Sequence, residues 1–152
     1  MKLSVFVTTF SLLFIEVNSY PFGAPACVSK PRHGVDPIED LNALNISIQK
    51  TVQNGSVILS FKSNSPEDYF RGFLVRTKSA GMFLTDDDVA KVECTGFLGS
   101  SGPDTKAVSH KDSSNKMSAR IQFMLDTGTL VEPNFDVILL KNFSTFCTDI
   151  KL

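Results

Sequence analysis

Residues 44–62, LNISIQKTVQNGSVILSFK, carry the pattern that decides the fold. Apolar and polar residues alternate on both sides of Asn54-Gly55, and a period of two places every second side chain on one face of a β-strand. Asn-Gly is the strongest short hairpin signal, because both central residues of a type I′ turn have positive φ. The stretch therefore predicts a β-hairpin with one buried face. The apolar positions of that face are Ile46, Ile48, Val57, Leu59 and Phe61.

Further strands are predicted along the rest of the chain. Residues 117–125 alternate most cleanly, and residues 135–140 form a continuous apolar run typical of a last strand covered on both sides. A buried strand is predicted at 69–76, where Gly72 indicates a bulge or a close backbone approach. Shorter strands are predicted at 81–84, 89–95 and 107–110, with a loop over 96–105. No window has a helical period, so the sequence predicts an all-β sandwich of about seven or eight strands.

The N-terminus has the composition of a secretory signal peptide. Lys2 is followed by an apolar run over 3–15, shorter than the about 20 residues that span a bilayer. Small or β-branched residues precede Tyr20, which is the predicted mature N-terminus. We therefore expect residues 1–19 to be a signal peptide, residues 20–152 to form a single extracellular domain without a membrane span, and residues 20–40 to be an extended lead-in rich in Pro and Gly.

The overall charge argues against nucleic acid as a partner. The chain has 15 Lys and Arg residues against 16 Asp and Glu residues, for a formal net charge of −1. Binding to nucleic acid draws on counterion release at a dense basic surface. The net charge of the domain therefore does not drive its binding to a partner.

Three cysteines, Cys27, Cys94 and Cys147, remain after removal of the signal. In an oxidising compartment an odd number implies one bridge and one remaining thiol, and spacing alone leaves all three pairings open. An unpaired Cys147 would either link two chains in a disulfide-bonded dimer or lie buried and inert. Three sequons, at Asn45, Asn54 and Asn142, predict N-glycosylation.

The sequence offers little for catalysis or for metal binding. Ser109 and His110 are adjacent, so on a strand their side chains should face opposite ways, which argues against a nucleophile–base pair. The run Asp86-Asp87-Asp88 invites a calcium interpretation, but no glycine follows at the needed spacing. Thr85 and Asp88 instead fit a capping box that starts a short helical turn. We expect neither an enzyme nor a cofactor or metal site.

Basic residues are the candidates for ligand binding. If strand pairing brings them together, they form a cationic patch for anionic glycans or phosphates. The alternative is an ordinary solvated surface, which composition alone favours. The candidate ligand-binding residues are Arg71, Arg76, Lys106, His110, Lys111, Lys116 and Arg120, with Lys78 close to the first group.

Three short motifs, GAPAC at 23–27, KPRHG at 30–34 and FRGFLVR at 70–76, together resemble the reeler domain. The first two are similar to the opening of that domain, and the third is similar to its central Phe-x-Gly-Phe strand. Residues 81–83, Cys94 and the strand at 108–110 follow in the family's order. The chain looks most like the small secreted reeler proteins of insects, the defence proteins related to noduler.

The resemblance implies an immunoglobulin-like β-sandwich and a bridge between Cys27 and Cys94, which in a loop-entropy model contributes roughly 4 kcal/mol. It also implies a secreted innate-immune protein of the haemolymph that binds microbial lipopolysaccharide, lipoteichoic acid or β-glucan. The chain has no Trp and departs from the family at 123–128, which bears on ligand preference. The alternative function is a structural or adhesive module of extracellular matrix or cuticle.

Overall fold

The computed structural model describes residues 41–94, 104–128, 131–142 and 145–152. The predicted signal peptide, the lead-in and Cys27 lie outside these ranges. The described residues form a 3₁₀ turn, Leu41–Leu44, and the following strands. These are β1 (Ile46–Gln53), β2 (Ser56–Ser63), β3 (Gly72–Thr77), β4 (Gly81–Phe83), β5 (Val89–Val92), β6 (Lys106–His110), β7 (Ser118–Leu125), β8 (Asp136–Asn142) and β9 (Thr145–Lys151).

The strands form two sheets that pack face to face. A four-stranded sheet has the order β1-β2-β7-β4, and a five-stranded sheet has the order β5-β6-β3-β8-β9. Every described strand pair is antiparallel. The prediction of an all-β sandwich is therefore confirmed.

The hairpin predicted from residues 44–62 is formed by β1 and β2. Its two turn residues, Asn54 and Gly55, have φ values of 45° and 75°, as a type I′ turn requires. Ile48 lies opposite Phe61, and this pairing puts both side chains on the inner face. The alternation in the sequence thus fixed the register as well as the turn, because a slip by one residue would expose the apolar face.

Aromatic side chains from both sheets fill one end of the core. Phe123 of β7 packs edge-on against Phe83, with ring centroids 4.9 Å apart, and against Phe135, 5.4 Å away. Edge-to-face pairs at this separation add to the free energy of burying the rings. Phe123 and Phe135 are almost fully buried. The first contact joins β4 to its neighbour β7 within one sheet, and the second joins that sheet to Phe135, which precedes β8 of the other sheet.

The sequence pattern did not predict the last strand, β9. Residues 135–140 are not the final strand, because β9 follows and pairs with β8. The polar residues Thr148 and Asp149 interrupt the apolar period of β9, and Asp149 has a positive φ of 59°. The register also shifts between Val137 and Leu139. A bulge adds a residue and breaks the period of two, so alternation could not identify this strand.

Gly72 marks a close approach rather than a bulge. A Cβ atom at this position would lie 2.6 Å from Cε1 of the His110 ring, closer than Cβ atoms are found to other groups. The sequence predicted either a bulge or a close approach, and the structure selects the second. The space beside Gly72 is thus occupied by the imidazole at the end of β6.

Candidate functional site

The basic residues singled out in the sequence do not form one patch. Register places Lys106 and Arg76 at one end of the five-stranded sheet, where Thr77 pairs with Lys106 and Arg76 with Ala107. The opposite end of β6 and the loops beside it hold Arg71, His110, Lys111 and Lys116. The two ends are separated by about five residues of strand, or about 17 Å. Arg120 lies in the other sheet, on β7.

Lys116 is committed to the loop between β6 and β7. Its Nζ donates to the backbone oxygen of Asp112 at 2.8 Å, to the Asp112 carboxylate at 2.9 Å and to the backbone oxygen of Ser114 at 3.1 Å. Hydrogen bonds from Ser114 first, and then from Lys116, hold the pKa of Asp112 well below its usual range. Lys116 therefore organises its own loop, because an ammonium has only three donors.

Arg71 and Lys111 also join loops. The guanidinium of Arg71 lies 5.7 Å from the ring centroid of Tyr69, and its Nε donates to Oδ1 of Asn115 at 2.9 Å. Nζ of Lys111 donates to the backbone oxygen of Asp86 at 2.5 Å. Both side chains are exposed and remain accessible to a ligand. Their role in ligand binding stays a prediction.

At the other end of the five-stranded sheet, Arg76 is buried and only 6% exposed. One of its terminal nitrogens lies 3.8 Å from the carboxylate of Asp136, which Lys151 also contacts. Lys106 is exposed and donates to the backbone oxygen of Ser79 at 3.0 Å. Arg76 thus faces protein rather than solvent, whereas Lys106 remains accessible.

Ser109 and His110 converge, contrary to the expectation for adjacent strand residues. Oγ of Ser109 lies 3.1 Å from Nδ1 of His110 at the end of β6. The two side chains meet because both turn toward the backbone of Phe73 on the neighbouring strand β3. The Ser109 hydroxyl donates to the Phe73 oxygen at 2.7 Å, and Phe73 N–H donates to Nδ1 of His110 at 3.1 Å. Burial lowers the pKa of His110, which favours the neutral ring as acceptor. Ser109 is only 1% exposed, so this pair serves packing rather than a substrate.

The four-stranded sheet, by contrast, has one face turned away from the core and open to solvent. We call this its outer face. β1, β2, β4 and β7 contain no Asp or Glu, so the strand residues of this face carry no negative charge. Both cations of the face, Lys62 and Arg120, are exposed.

One end of the outer face is polar and cationic. Lys62 lies opposite Ser118, and Arg120 lies opposite Ser60. The two cations are therefore diagonal neighbours, about 7–8 Å apart across the strand pair. A shallow hollow of about 390 Å³ lies between them, and Met117 also lines it. The residues of this polar half are Ser47, Gln49, Ser60, Lys62, Ser118 and Arg120.

The other end of the outer face is apolar. Met82 pairs directly with Met124, and these side chains are 55% and 36% exposed. Leu84 is 42% exposed, and the alternation along β4 puts it on the same side as Met82. Ile58, half-buried, lies opposite Gln122 on the same face. The face therefore joins an apolar half to a cationic half with no acidic residue between them.

This arrangement suits an anionic amphiphile or a phosphorylated glycan. Lys and Arg form charge-assisted hydrogen bonds with phosphate or carboxylate, and serine hydroxyls both donate to and accept from sugar hydroxyls. Sequence reasoning included Arg120 but missed Lys62, whose polar position in the hairpin pattern was the available signal. Only the pairing of β2 with β7 places the two cations side by side.

The remaining sequence predictions concern cysteines and carboxylates. Cys94 is buried, but Cys27 lies outside the described residues, so the Cys27–Cys94 bridge stays a prediction. Cys147 is 1% exposed with its Sγ 3.8 Å from the backbone oxygen of Thr148. A chain-linking bridge through Cys147 would require this buried sulfur to reach the surface. Of the two alternatives for Cys147, a bridge between two chains and a buried thiol, this position favours the second.

The Asp86–Asp88 segment contains no helical turn, and that prediction was wrong. Oδ1 of Asp86 accepts hydrogen bonds from the backbone N–H groups of Asp88 and Val89, both at 2.9 Å, and this bend leads directly into β5. Within the described ranges no group of three or more His, Cys, Asp or Glu side chains could hold a metal ion. No helix in that part of the chain is long and apolar enough to cross a membrane.

Comparison of folds identifies the class of protein. A structure of the human F-spondin reeler domain aligns with a TM-score of 0.50 and 17% identity, over 80% of this chain and 94% of that chain. A second structure of the same human domain aligns with a TM-score of 0.49 and 12% identity, over 78% and 90% of the two chains. The first likeness shows the fold, and the protein thus has the β-sandwich fold of the reeler domain.

Sequence comparison gives a more particular relative. The chain is 28% identical over 140 residues to "Putative defense protein 3" of Antheraea mylitta, covering 85% of this chain and 81% of that protein. No protein-family profile matches the chain. The resemblance to reeler-domain insect defence proteins, predicted from short motifs, is confirmed by the shared fold and by this relative.

Proposed function

We propose that this chain is a secreted innate-immune protein that binds surface glycolipids or glycans of microbes, such as lipopolysaccharide, lipoteichoic acid or β-glucan. The carrying observation is the exposed outer face on which Lys62 and Arg120 lie diagonally among serines, with no acidic residue in the surrounding strands. The defence role is supported by the relative from Antheraea mylitta.

The ligand class follows from the two halves of the outer face. A phosphate or carboxylate group fits the polar half, because two cations that share one anion hold it more firmly than either does alone. The exposed methionine pair, Met82 and Met124, offers a flexible apolar surface to acyl chains beside that anion. A neutral β-glucan would use only the hydroxyl and amide groups, so we expect it to bind more weakly than lipopolysaccharide or lipoteichoic acid.

The test measures binding of purified protein to killed bacteria and to immobilised lipopolysaccharide. The double variant K62E/R120E should weaken binding at least about tenfold, and the loss should be larger at low ionic strength. The matched control is K106E/K111E, which makes the same change of charge on the five-stranded sheet and its loops. An equal loss of binding in both variants would indicate that the overall charge of the protein, and not the outer face, attracts the ligand. A loss in the control alone would place the binding site at Lys106 and Lys111.

Export is part of the proposal. We expect the mature protein in the extracellular fluid, the haemolymph of an insect, to begin at Tyr20 after removal of residues 1–19. N-terminal sequencing of protein recovered from the medium of expressing insect cells checks this cleavage. Retention of the full chain inside the cells would contradict it. A host matrix partner in place of a microbial one would instead favour the structural or adhesive module.

A further inference from the structure

Two of the sequon asparagines lie at opposite ends of the β1–β2 hairpin and have different surroundings. Asn45 precedes β1 and has a positive φ of 53°. Its Nδ2 donates to the carboxylate of Asp68 at 2.5 Å, and its Oδ1 accepts from Nδ2 of Asn64 at 3.3 Å. Both ends of the Asn45 carboxamide are therefore engaged in holding the loop that follows β2.

Asp68 makes this contact part of a larger cluster. The Asp68 carboxylate also accepts from Oγ of Ser65 at 2.7 Å and from Nζ of Lys141 at 2.6 Å. Lys141 belongs to β8, so the cluster joins the start of the four-stranded sheet to the five-stranded sheet. The bonds from Lys141, then Asn45, then Ser65 hold the pKa of Asp68 well below its usual range. We call this cluster the Asn45 clamp.

Asn54 lies at the tip of the hairpin and is exposed. Among the described residues, no side-chain hydrogen bond engages its carboxamide. The neighbouring Gly55 has open space around the position of a Cβ atom. Because the Asn54 side chain is exposed and no described hydrogen bond engages it, a substituent on its carboxamide breaks no contact of the fold.

We propose that Asn54 is the residue that carries an N-linked glycan and that Asn45, although it also lies in a sequon, remains unmodified. Transfer forms a bond between Nδ2 and the first carbon of the sugar, while the bond from that carbon to a lipid-linked diphosphate breaks. The amide nitrogen gives up one proton to the surrounding water and keeps one hydrogen, and the lipid diphosphate leaves as an anion. At Asn45 the added sugar would crowd the Asp68 carboxylate, whereas at Asn54 it extends from an exposed turn.

The position of Asn54 also bears on the outer face. The Gly55 oxygen accepts from the backbone of Leu125 at 2.9 Å, and Ser56 pairs with Met124, so the tip lies beside the apolar half. Lys62 lies near the other end of β2. A glycan on Asn54 would thus stand away from the two cations, and the proposal does not depend on which ligand they bind. The third sequon, at Asn142, includes residues outside the described part of the chain, so the proposal concerns the first two.

The test maps glycosylation on the full chain, expressed in insect cells behind an added signal peptide so that export does not rely on residues 1–19. Enzymatic release of glycans in heavy-oxygen water converts each modified Asn to labelled Asp, which peptide mass spectrometry locates. We expect label at Asn54 and none at Asn45. Label at Asn45, or its absence from Asn54, would overturn the proposal.

Two variants sharpen the assignment. N54D removes the acceptor but keeps an Asp-Gly pair that suits the same turn, so it should lose one glycan and remain folded. S47A destroys the other sequon and leaves the Asn45 carboxamide in place, so it should not change the glycan mass. A lower glycan mass in S47A would also contradict the proposal.

Discussion

The two sheets differ most on the faces that they turn away from the shared core. On the five-stranded sheet, Leu74 and Ile138 are each 3% exposed although they point away from the sandwich interior. On the four-stranded sheet, the corresponding face exposes Lys62, Arg120 and the methionine pair. The difference is already present in the sequences of the strands. β3 and β8 contain consecutive apolar residues, whereas apolar and polar residues alternate along β7. Of the two faces, the outer face of the four-stranded sheet is the one available to a ligand.

The largest expected effect comes from matched substitutions on these two faces. Leu74→Ala should lower the free energy of unfolding by about 2–5 kcal/mol, because it empties a buried site. Met124→Ala, also apolar but exposed, should change it by no more than about 0.5 kcal/mol. Urea denaturation measures both. Equal losses would show that the two faces are not different in packing.

Gly72→Ala should destabilise the protein by about 1–3 kcal/mol, since the added methyl group meets the His110 ring and the core must shift to accommodate it. The cost should be smaller in a His110→Ala background, where that ring is absent. A double-mutant cycle by denaturation measures the coupling between the two positions. Additive losses would mean that the contact with His110 is not the cause.

The pH dependence of stability should report the buried His110. Its pKa is lowered in the folded state, so the unfolded chain takes up a proton first as the pH falls from about 7.5 to about 5.5. The free energy of unfolding should therefore decrease with falling pH in this window, by at most about 1.4 kcal/mol per pH unit from this group.

His110→Asn keeps a neutral acceptor for the Phe73 N–H and removes the titration. Its stability should fall less steeply than that of the wild type over the same window, which urea unfolding at several pH values measures. Asp68 and Asp112 do not account for the slope. Their pKa values are lowered in the folded state and near 4 in the unfolded chain, so both carboxyls are ionised in both states throughout this pH window. Parallel profiles for the two proteins would exclude His110 as the source.

The smallest expected effect concerns the Asn45 clamp. Asn45→Asp tolerates the positive φ but loses the amide donor and sets a second carboxylate beside Asp68. We expect a melting temperature a few degrees lower. The control is Ser47→Ala, which keeps the Asn45 carboxamide, loses only the exposed bond from the Ser47 hydroxyl to the Lys62 oxygen, and should lower the melting temperature less. Thermal unfolding followed by circular dichroism makes the comparison. No difference between the two variants would remove the clamp as a source of stability.

The sequence determined the local structure of this protein. The period of two, the Asn-Gly turn and the lack of a helical period predicted the hairpin and the all-β class, because neighbouring residues in the chain encode these features. Alternation also put Lys62 and Arg120 on the polar side of their strands. The motifs at 70–76 and near Cys94 indicated the reeler fold, because they are read from the sequence alone.

Only the tertiary structure decided which residues meet. The pairing of β3 with β8 brought Arg76 beside Asp136, and the pairing of β2 with β7 placed Lys62 diagonally beside Arg120. The tertiary structure also bent the side chains of Ser109 and His110 toward the same peptide group, which strand alternation does not anticipate. These outcomes depend on pairing between strands far apart in the chain. Long-range register is set by packing of the whole sandwich, and no local period contains it.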